Sequence, residues 1–205
     1  MMPSVPEERL ERGGWSLVEE STETLVRLPA ARVLGYTRLY EDAASRERIH
    51  EATGIDRQWR FFFATRLTFD PPLPPGVGPA MLLPTVAAEA RRTFANDLRG
   101  RGFRGVERGR TERVRVRSGA RARLQSFRAR LPLDADASAR PEAVPVEGWL
   151  GVWATDDGFR VAGGAYPTTL PELGAALGAE GEGEALGPDA GACRSELFEL
   201  LRAVS

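Results

Sequence analysis

The chain has 205 residues, 42% of them apolar, and a formal net charge of −1, which allows one packed domain and argues against a disordered polyelectrolyte. All 28 basic residues are arginine; a single Cys193 excludes an intramolecular disulfide and, with the single His50, excludes a zinc cage of cysteines and histidines. No run approaches the ~18 apolar residues of a membrane span, and the opening MMPSVPEERLERGGW lacks the apolar stretch of a secretory leader, so the expectation is a cytoplasmic protein with no membrane partner.

Residues 1–14 read as a flexible N-terminus and 15–205 as one domain. WSLVEESTETLVR, Trp15 to Arg27, alternates as a half-buried strand does, and VLGYTRLY, Val33 to Tyr40, follows a turn at Pro29. SRERIHEATG predicts a short helix starting at Ser45 and stopped by Gly54. In QWRFFFATRLTF, Gln58 to Phe69, the two-residue period places Trp59, Phe61 and Phe63 on one strand face. The prolines of DPPLPPGVGPAMLLP predict a loop from Asp70 to Pro84, after which Thr85 caps a helix to about Arg99, with Val86, Ala90, Phe94 and Leu98 as its stripe.

Two hairpins follow. In RVRVRSGARARLQSFRARL, Arg113 to Leu131, a three-residue loop Ser118-Gly119-Ala120 sets Arg117 opposite Arg121 and Arg115 opposite Arg123, with Val114 and Val116 turned the other way over Leu124 and Ala122. Past Gln125 the apolar set moves to Phe127, Ala129 and Leu131, a change of phase that predicts a β-bulge near Ser126. DADASARPEAVP, Asp134 to Pro145, reads as a polar loop. In EGWLGVWATDDGFRVAGGAYP, Asp157-Gly158 reads as the turn, pairing Val152 with Gly163 and Trp149 with Tyr166. A single helical turn is expected near Pro171 to Leu177, and a final helix from about Gly191 to Val204. Hairpins interrupted by two main helices, without βαβ alternation, predict an α+β domain with a mostly antiparallel sheet.

Charge is unevenly spread: residues 99–133 hold twelve arginines against Glu107 and Glu112, whereas residues 134–205 hold thirteen acids against four arginines. Such asymmetry speaks to partners, not to fold. Arg113, Arg115, Arg117, Arg121 and Arg123 are the candidate anion-binding face, because like charges opposite one another on a sheet repel and an acidic surface or a phosphate backbone relieves them. The competing reading is a solvated face neutralised by the acidic segment. A protein partner or a homo-oligomer is the expected partner; nucleic acid on the hairpin 108–130 is the alternative, set against a pI of about 6.0 and aromatic residues that sit mostly elsewhere in the chain. Trp59, Phe61, Phe63, Trp149, Trp153 and Tyr166 form a second candidate, an aromatic pocket for a small molecule beside Gly151, Gly163 and Gly164, against which stands the ordinary role of such rings as core.

Catalytic signatures are missing. Nothing places Cys193 beside His50, GVG lacks the lysine of a phosphate loop, and no G-x-S-x-G elbow occurs. The adjacent carboxylates Glu19-Glu20 and Asp156-Asp157 suit solvated strand and turn positions. The expectation is therefore no enzyme activity, no metal and no cofactor.

At RLPAARVLGYTRLYED, TGIDRQWRFFFATRLTF and VEGWLGVWATDDGFRVAGGAYP the chain resembles a haloarchaeal family of uncharacterised proteins over most of its length, a resemblance that implies no known activity. It matches that family's lack of lysine and departs from its acidic composition. The order of hairpins, the G-G-x-Y-P strand end and the final helix look like the PsbP-type α/β/α sandwich, a likeness of fold that transfers no function.

Overall fold

The computed structural model describes residues 1–27, 32–74, 76–133, 142–169 and 187–205. Its elements in chain order are α1 (Glu7–Arg12), β1 (Trp15–Arg27), β2 (Arg32–Asp42), α2 (Ala43–Thr53), β3 (Phe61–Asp70), α3 (Pro79–Gly100), β4 (Arg104–Arg115), β5 (Arg121–Pro132), β6 (Ala143–Thr155), β7 (Gly158–Pro167) and α4 (Ala190–Ala203). The strands form one open antiparallel sheet in the order β1-β2-β3-β7-β6-β5-β4, so the domain is α+β.

Helices cover both faces of that sheet. On one face Phe94 of α3 packs against Phe61 and Phe63 of β3 and meets Phe127 of β5 edge-on, with ring centroids 5.0 Å apart. On the other, Phe198 of α4 stands edge-on to Trp149, with centroids 4.9 Å apart. Central β7 is buried at all ten positions, as a strand covered on both sides must be. Its glycines permit the close layers: a Cβ at Gly164 would collide with the Phe61 carbonyl oxygen and lie 2.8 Å from Leu197 Cδ1.

A buried charge cluster ties α4 to the strands. The Arg60 guanidinium reaches Asp42 and Glu196; Asp42 also accepts from the Ser45 amide at 2.9 Å and hydroxyl at 2.6 Å, and Glu196 accepts from Trp15 Nε1 at 3.0 Å. Asp42, rather than Ser45, thus caps α2, which Gly54 ends in the left-handed conformation. Residues 1–14, read from the sequence as a flexible end, carry α1; Leu10 is buried, and Ser4 and Ser205 exchange backbone hydrogen bonds of 2.9 and 3.1 Å.

Several local expectations are corrected. The helix begins at Pro79, not Thr85, and runs through Pro84. Pro79 at the first turn has no amide to orphan, and the bond lost at Pro84 is offset by Leu82, Leu83 and Val86 packing on the core. Trp59 precedes β3 instead of belonging to it. The first hairpin pairs Arg113 with Arg123, Val114 with Ala122 and Arg115 with Arg121, so its loop is Arg117-Ser118-Gly119, with Gly119 at φ +86° in the last position. A three-residue loop needs its left-handed residue there. In the last hairpin Thr155 pairs with Gly158, Val152 with Val161 and Trp149 with Gly164, making Asp156-Asp157 the turn. Gly158 follows the turn at φ +140°, a conformation that favours glycine, and a Cβ there would also strike the Leu67 carbonyl oxygen.

The bulge expected near Ser126 is not in β5, whose register with β6 runs unbroken from Arg123 to Pro132; it lies across from Ser126, in β4. Leu124, Gln125, Ser126 and Phe127 are all buried, because near the hairpin tip β5 is covered on the α4 face and further on it is covered by α3 on the other. The apolar phase changes with the cover, not with the backbone. The bulges lie in β4, between Arg104 and Glu107 and between Arg108 and Thr111. The expectations at Pro29 and at Pro171 to Leu177 fall outside the described residues, as does the loop expected from Asp134 to Pro145 as far as 141; its end is corrected, since β6 begins at Ala143.

Candidate functional site

The basic end of the sheet is built by parity. Val114, Val116, Ala122 and Leu124 are buried on the α4 face of the β4–β5 ribbon, which turns Arg113, Arg115, Arg121 and Arg123 to the α3 face, all exposed. Arg113 sits directly across from Arg123, and Arg115 from Arg121. Neighbouring strands lie about 4.8 Å apart and alternate residues about 6.7 Å apart, so these positions form a compact square of cations. Arg117 is drawn aside at the loop: its amide donates to the Arg202 carbonyl at 2.8 Å and its guanidinium to the Ser205 hydroxyl at 3.2 Å.

Two arginines that sequence parity does not select join the square. Arg108 pairs with Phe127 and therefore shares the face of Arg113, because the bulge between Arg108 and Thr111 adds one residue and reverses the alternation. Gly109, pressed against Ser126, is the sequence signal for that bulge. Arg91 comes from the flank of α3; burial, followed by the charges of Arg123 and Arg108, lowers its pKa. Among the described residues none of Arg91, Arg108, Arg113, Arg115, Arg121 and Arg123 pairs with a carboxylate.

The opposite face of the same strands behaves differently. Arg194 of α4 binds Glu112 at 2.5 Å and stacks over Trp149 and Phe198, while Arg110 contacts Glu112 at 3.2 Å and lies 5.4 Å from the Trp149 ring. Tyr166 donates to Glu147 at 2.6 Å, and burial together with that carboxylate raises its pKa. Arg110 and Arg194 on this side are paired and stacked, whereas the six on the α3 side have no carboxylate partner among the described residues.

The six aromatic candidates do not gather in one place. Phe61 and Phe63 lie under α3, Trp149, Trp153 and Tyr166 are buried on the α4 face, and Trp59 is buried ahead of β3. The room expected beside the glycines is filled: a Cβ at Gly163 would lie 2.9 Å from the Phe63 ring, and one at Gly151 2.5 Å from Leu124. A cavity of about 210 Å³ opens elsewhere, between α1 and β1–β2, lined by Leu10, Trp15, Leu17, Arg38 and Tyr40 with Glu7 and Glu11. Ligand sites for small molecules typically exceed about 300 Å³.

Cys193 is wholly buried and contacts the Pro188 carbonyl at 3.5 Å, while His50 is exposed on α2. Burial pushes the Cys193 thiol up to about 11. The described residues contain no group of three or more histidine, cysteine or acidic side chains able to hold a metal, and no helix long and apolar enough to cross a membrane.

Fold and surface together define an open-sheet α+β protein with a cationic end that has no carboxylate partner among the described residues. The chain belongs to the family described as a domain of unknown function (DUF6517), whose model matches residues 2–205. No curated protein and no solved structure matches it.

Proposed function

We propose that this is a non-enzymatic binding protein that docks an acidic surface of a protein partner on the α3-face arginines of β4–β5. The observation that carries this reading is the cluster of Arg91, Arg108, Arg113, Arg115, Arg121 and Arg123 without a carboxylate partner among the described residues. Holding like charges opposite one another on a sheet costs stability, and an anionic partner converts that cost into binding free energy. Protein is favoured over nucleic acid because, among the described residues, no exposed ring stands among the arginines to stack a base, Phe127 beside Arg108 being wholly buried. The same reading puts the protein in the cytoplasm. It also takes the two-sided helical cover as kin to the PsbP-type sandwich.

Retention on immobilised polyglutamate, measured against a short DNA duplex over a range of salt, tests the proposal. Wild type is expected to hold polyglutamate and the pair Arg115→Glu plus Arg123→Glu to lose about tenfold in affinity, since two reversed surface charges are together worth up to about 2 kcal/mol. Unchanged polyglutamate binding overturns the reading. Tighter binding to the duplex, falling steeply with salt, replaces it with the nucleic-acid reading.

A further inference from the structure

We infer that the acidic surface docked by the arginine edge is the opposite edge of a second copy of this chain. This rests on the acidic-partner reading above and names the partner. Since β1 and β4 are the two ends of the sheet order, their outer backbone groups are the sheet's unpaired ones. Their charges are opposite: β1 carries Glu19, Glu20 and Glu23, all exposed, and β4 carries Arg104, Arg108, Arg110, Arg113 and Arg115.

Face by face the match is closer. Register places Glu19 beside Leu39 and Glu23 beside Gly35, and Leu39 pairs with Phe63, so both glutamates share the α3 face with Arg113 and Arg115. Glu19 and Glu23 make no ion pair among the described residues, like the arginines. On the other face Glu20 already holds Arg38 at 2.6 Å and Glu112 holds Arg194 at 2.5 Å. Over Glu19–Thr24 and Thr111–Arg115 the unpaired charges of both edges therefore lie on the same side of the sheet, while Arg104 and Glu107, at the far end of β4, face the other.

Strand direction allows the contact. Seven strands, each antiparallel to its neighbour, leave β1 and β4 pointing the same way. A copy displaced along the sheet consequently brings its β1 beside β4 in parallel, with the α3 faces continuous and Glu19 and Glu23 next to Arg113 and Arg115. Two-fold pairing is disfavoured by charge: β1 against itself about Ser21 sets Glu19 opposite Glu23, and β4 against itself sets arginine against arginine. Leu17, Val18 and Leu25, exposed at 49%, 50% and 49%, flank the acidic stretch and give the edge apolar area to cover.

Bulges set the strength of the contact. They interrupt β1 between Leu17 and Glu19 and between Thr24 and Val26, and β4 between Arg108 and Thr111, leaving straight runs of Glu19–Thr24 and Thr111–Arg115. Such short runs favour a weak, reversible, salt-sensitive chain of copies over a tight dimer, because a head-to-tail contact does not close on itself.

Sedimentation velocity of the full chain over a range of concentration and salt tests this. Wild type is expected to form species beyond the dimer at low salt and to return to single chains at high salt. Glu19→Arg plus Glu23→Arg, and separately Arg113→Glu plus Arg115→Glu, should each remain single; mixing the two variants should restore association, a rescue that misfolded variants would not give. A wild type that stays single at low salt, or association indifferent to both variants, overturns the inference. Polyglutamate held by a strictly single-chain protein overturns self-association while leaving the acidic-partner reading standing, whereas loss of both removes both.

Discussion

Arg60 and the Arg113–Arg123 square use one side chain for opposite ends. Arg60 is 4% exposed, held by Asp42 and Glu196 and stacked 5.1 Å from the Trp15 ring, so it joins the entry to β3 to the end of β2, to β1 and to α4. The square is exposed, and its members have one another for neighbours. A guanidinium becomes a structural tie where the fold brings carboxylates to it out of water, and an open binding surface where the fold leaves it facing its own kind. The sequence carries 28 basic residues and does not mark which is which; the topology sorts them.

The largest expected effect strikes the tie. Arg60→Met leaves Asp42 buried and without its cation, and urea unfolding should show a loss of about 3–5 kcal/mol. A loss below about 1 kcal/mol would mean that the cluster is not a tie, and the comparison would fail. Next in size is Gly164→Ala, whose Cβ would meet the Phe61 carbonyl of the neighbouring strand and Leu197 of α4. It should cost about 1–3 kcal/mol, read from the same unfolding curves, and wild-type stability would show that the β7 layers are looser than drawn.

Much of this was legible in the sequence, and what failed did so for stated reasons. In both hairpins the loop lies one residue earlier than the turn residues suggest, at 117–119 and 156–157. Each pairing therefore shifts by two, which leaves every side chain on its expected face. That is why the arginine square survives an error of register. The bulge was read in the wrong strand because an apolar phase change in β5 has two causes, a backbone insertion or a change of covering helix, and only the tertiary packing tells them apart. Arg108 was missed for the same reason, and Arg91 because a helix flank reaches the square only through tertiary structure. The six aromatics share strand faces on paper, yet the sheet has two covered sides and divides them.

Cys193 offers a smaller effect that sharpens the contrast, since it lies in the field of Arg60. Burial raises its thiol from 9.0 to about 11, with the Arg60 charge working in the opposite direction. The folded state thus prefers the neutral thiol. Below pH 9 both states keep the proton and stability is unaffected; above it the unfolded chain ionises first, and stability falls until the folded thiol titrates near 11. Native protein should resist iodoacetamide near neutral pH and label only as it unfolds, and Arg60→Met, by removing a cation, should raise the thiol further. Rapid labelling of native protein would show that Cys193 is not enclosed.

The smallest effect on folding belongs to the square, and that smallness is the point. Arg115→Glu plus Arg123→Glu removes two cations from a set with no carboxylate partner among the described residues and places anions beside Arg108, Arg113 and Arg121. The stability change should stay within about 0.5 kcal/mol and lean towards stabilisation, because opposed like charges become opposed unlike ones. A thermal midpoint held or raised, together with lost retention of polyglutamate, separates a surface kept for binding from one kept for the fold. A destabilisation near that of Arg60→Met would place the square with the ties, and the two sets of arginines would then differ only in exposure.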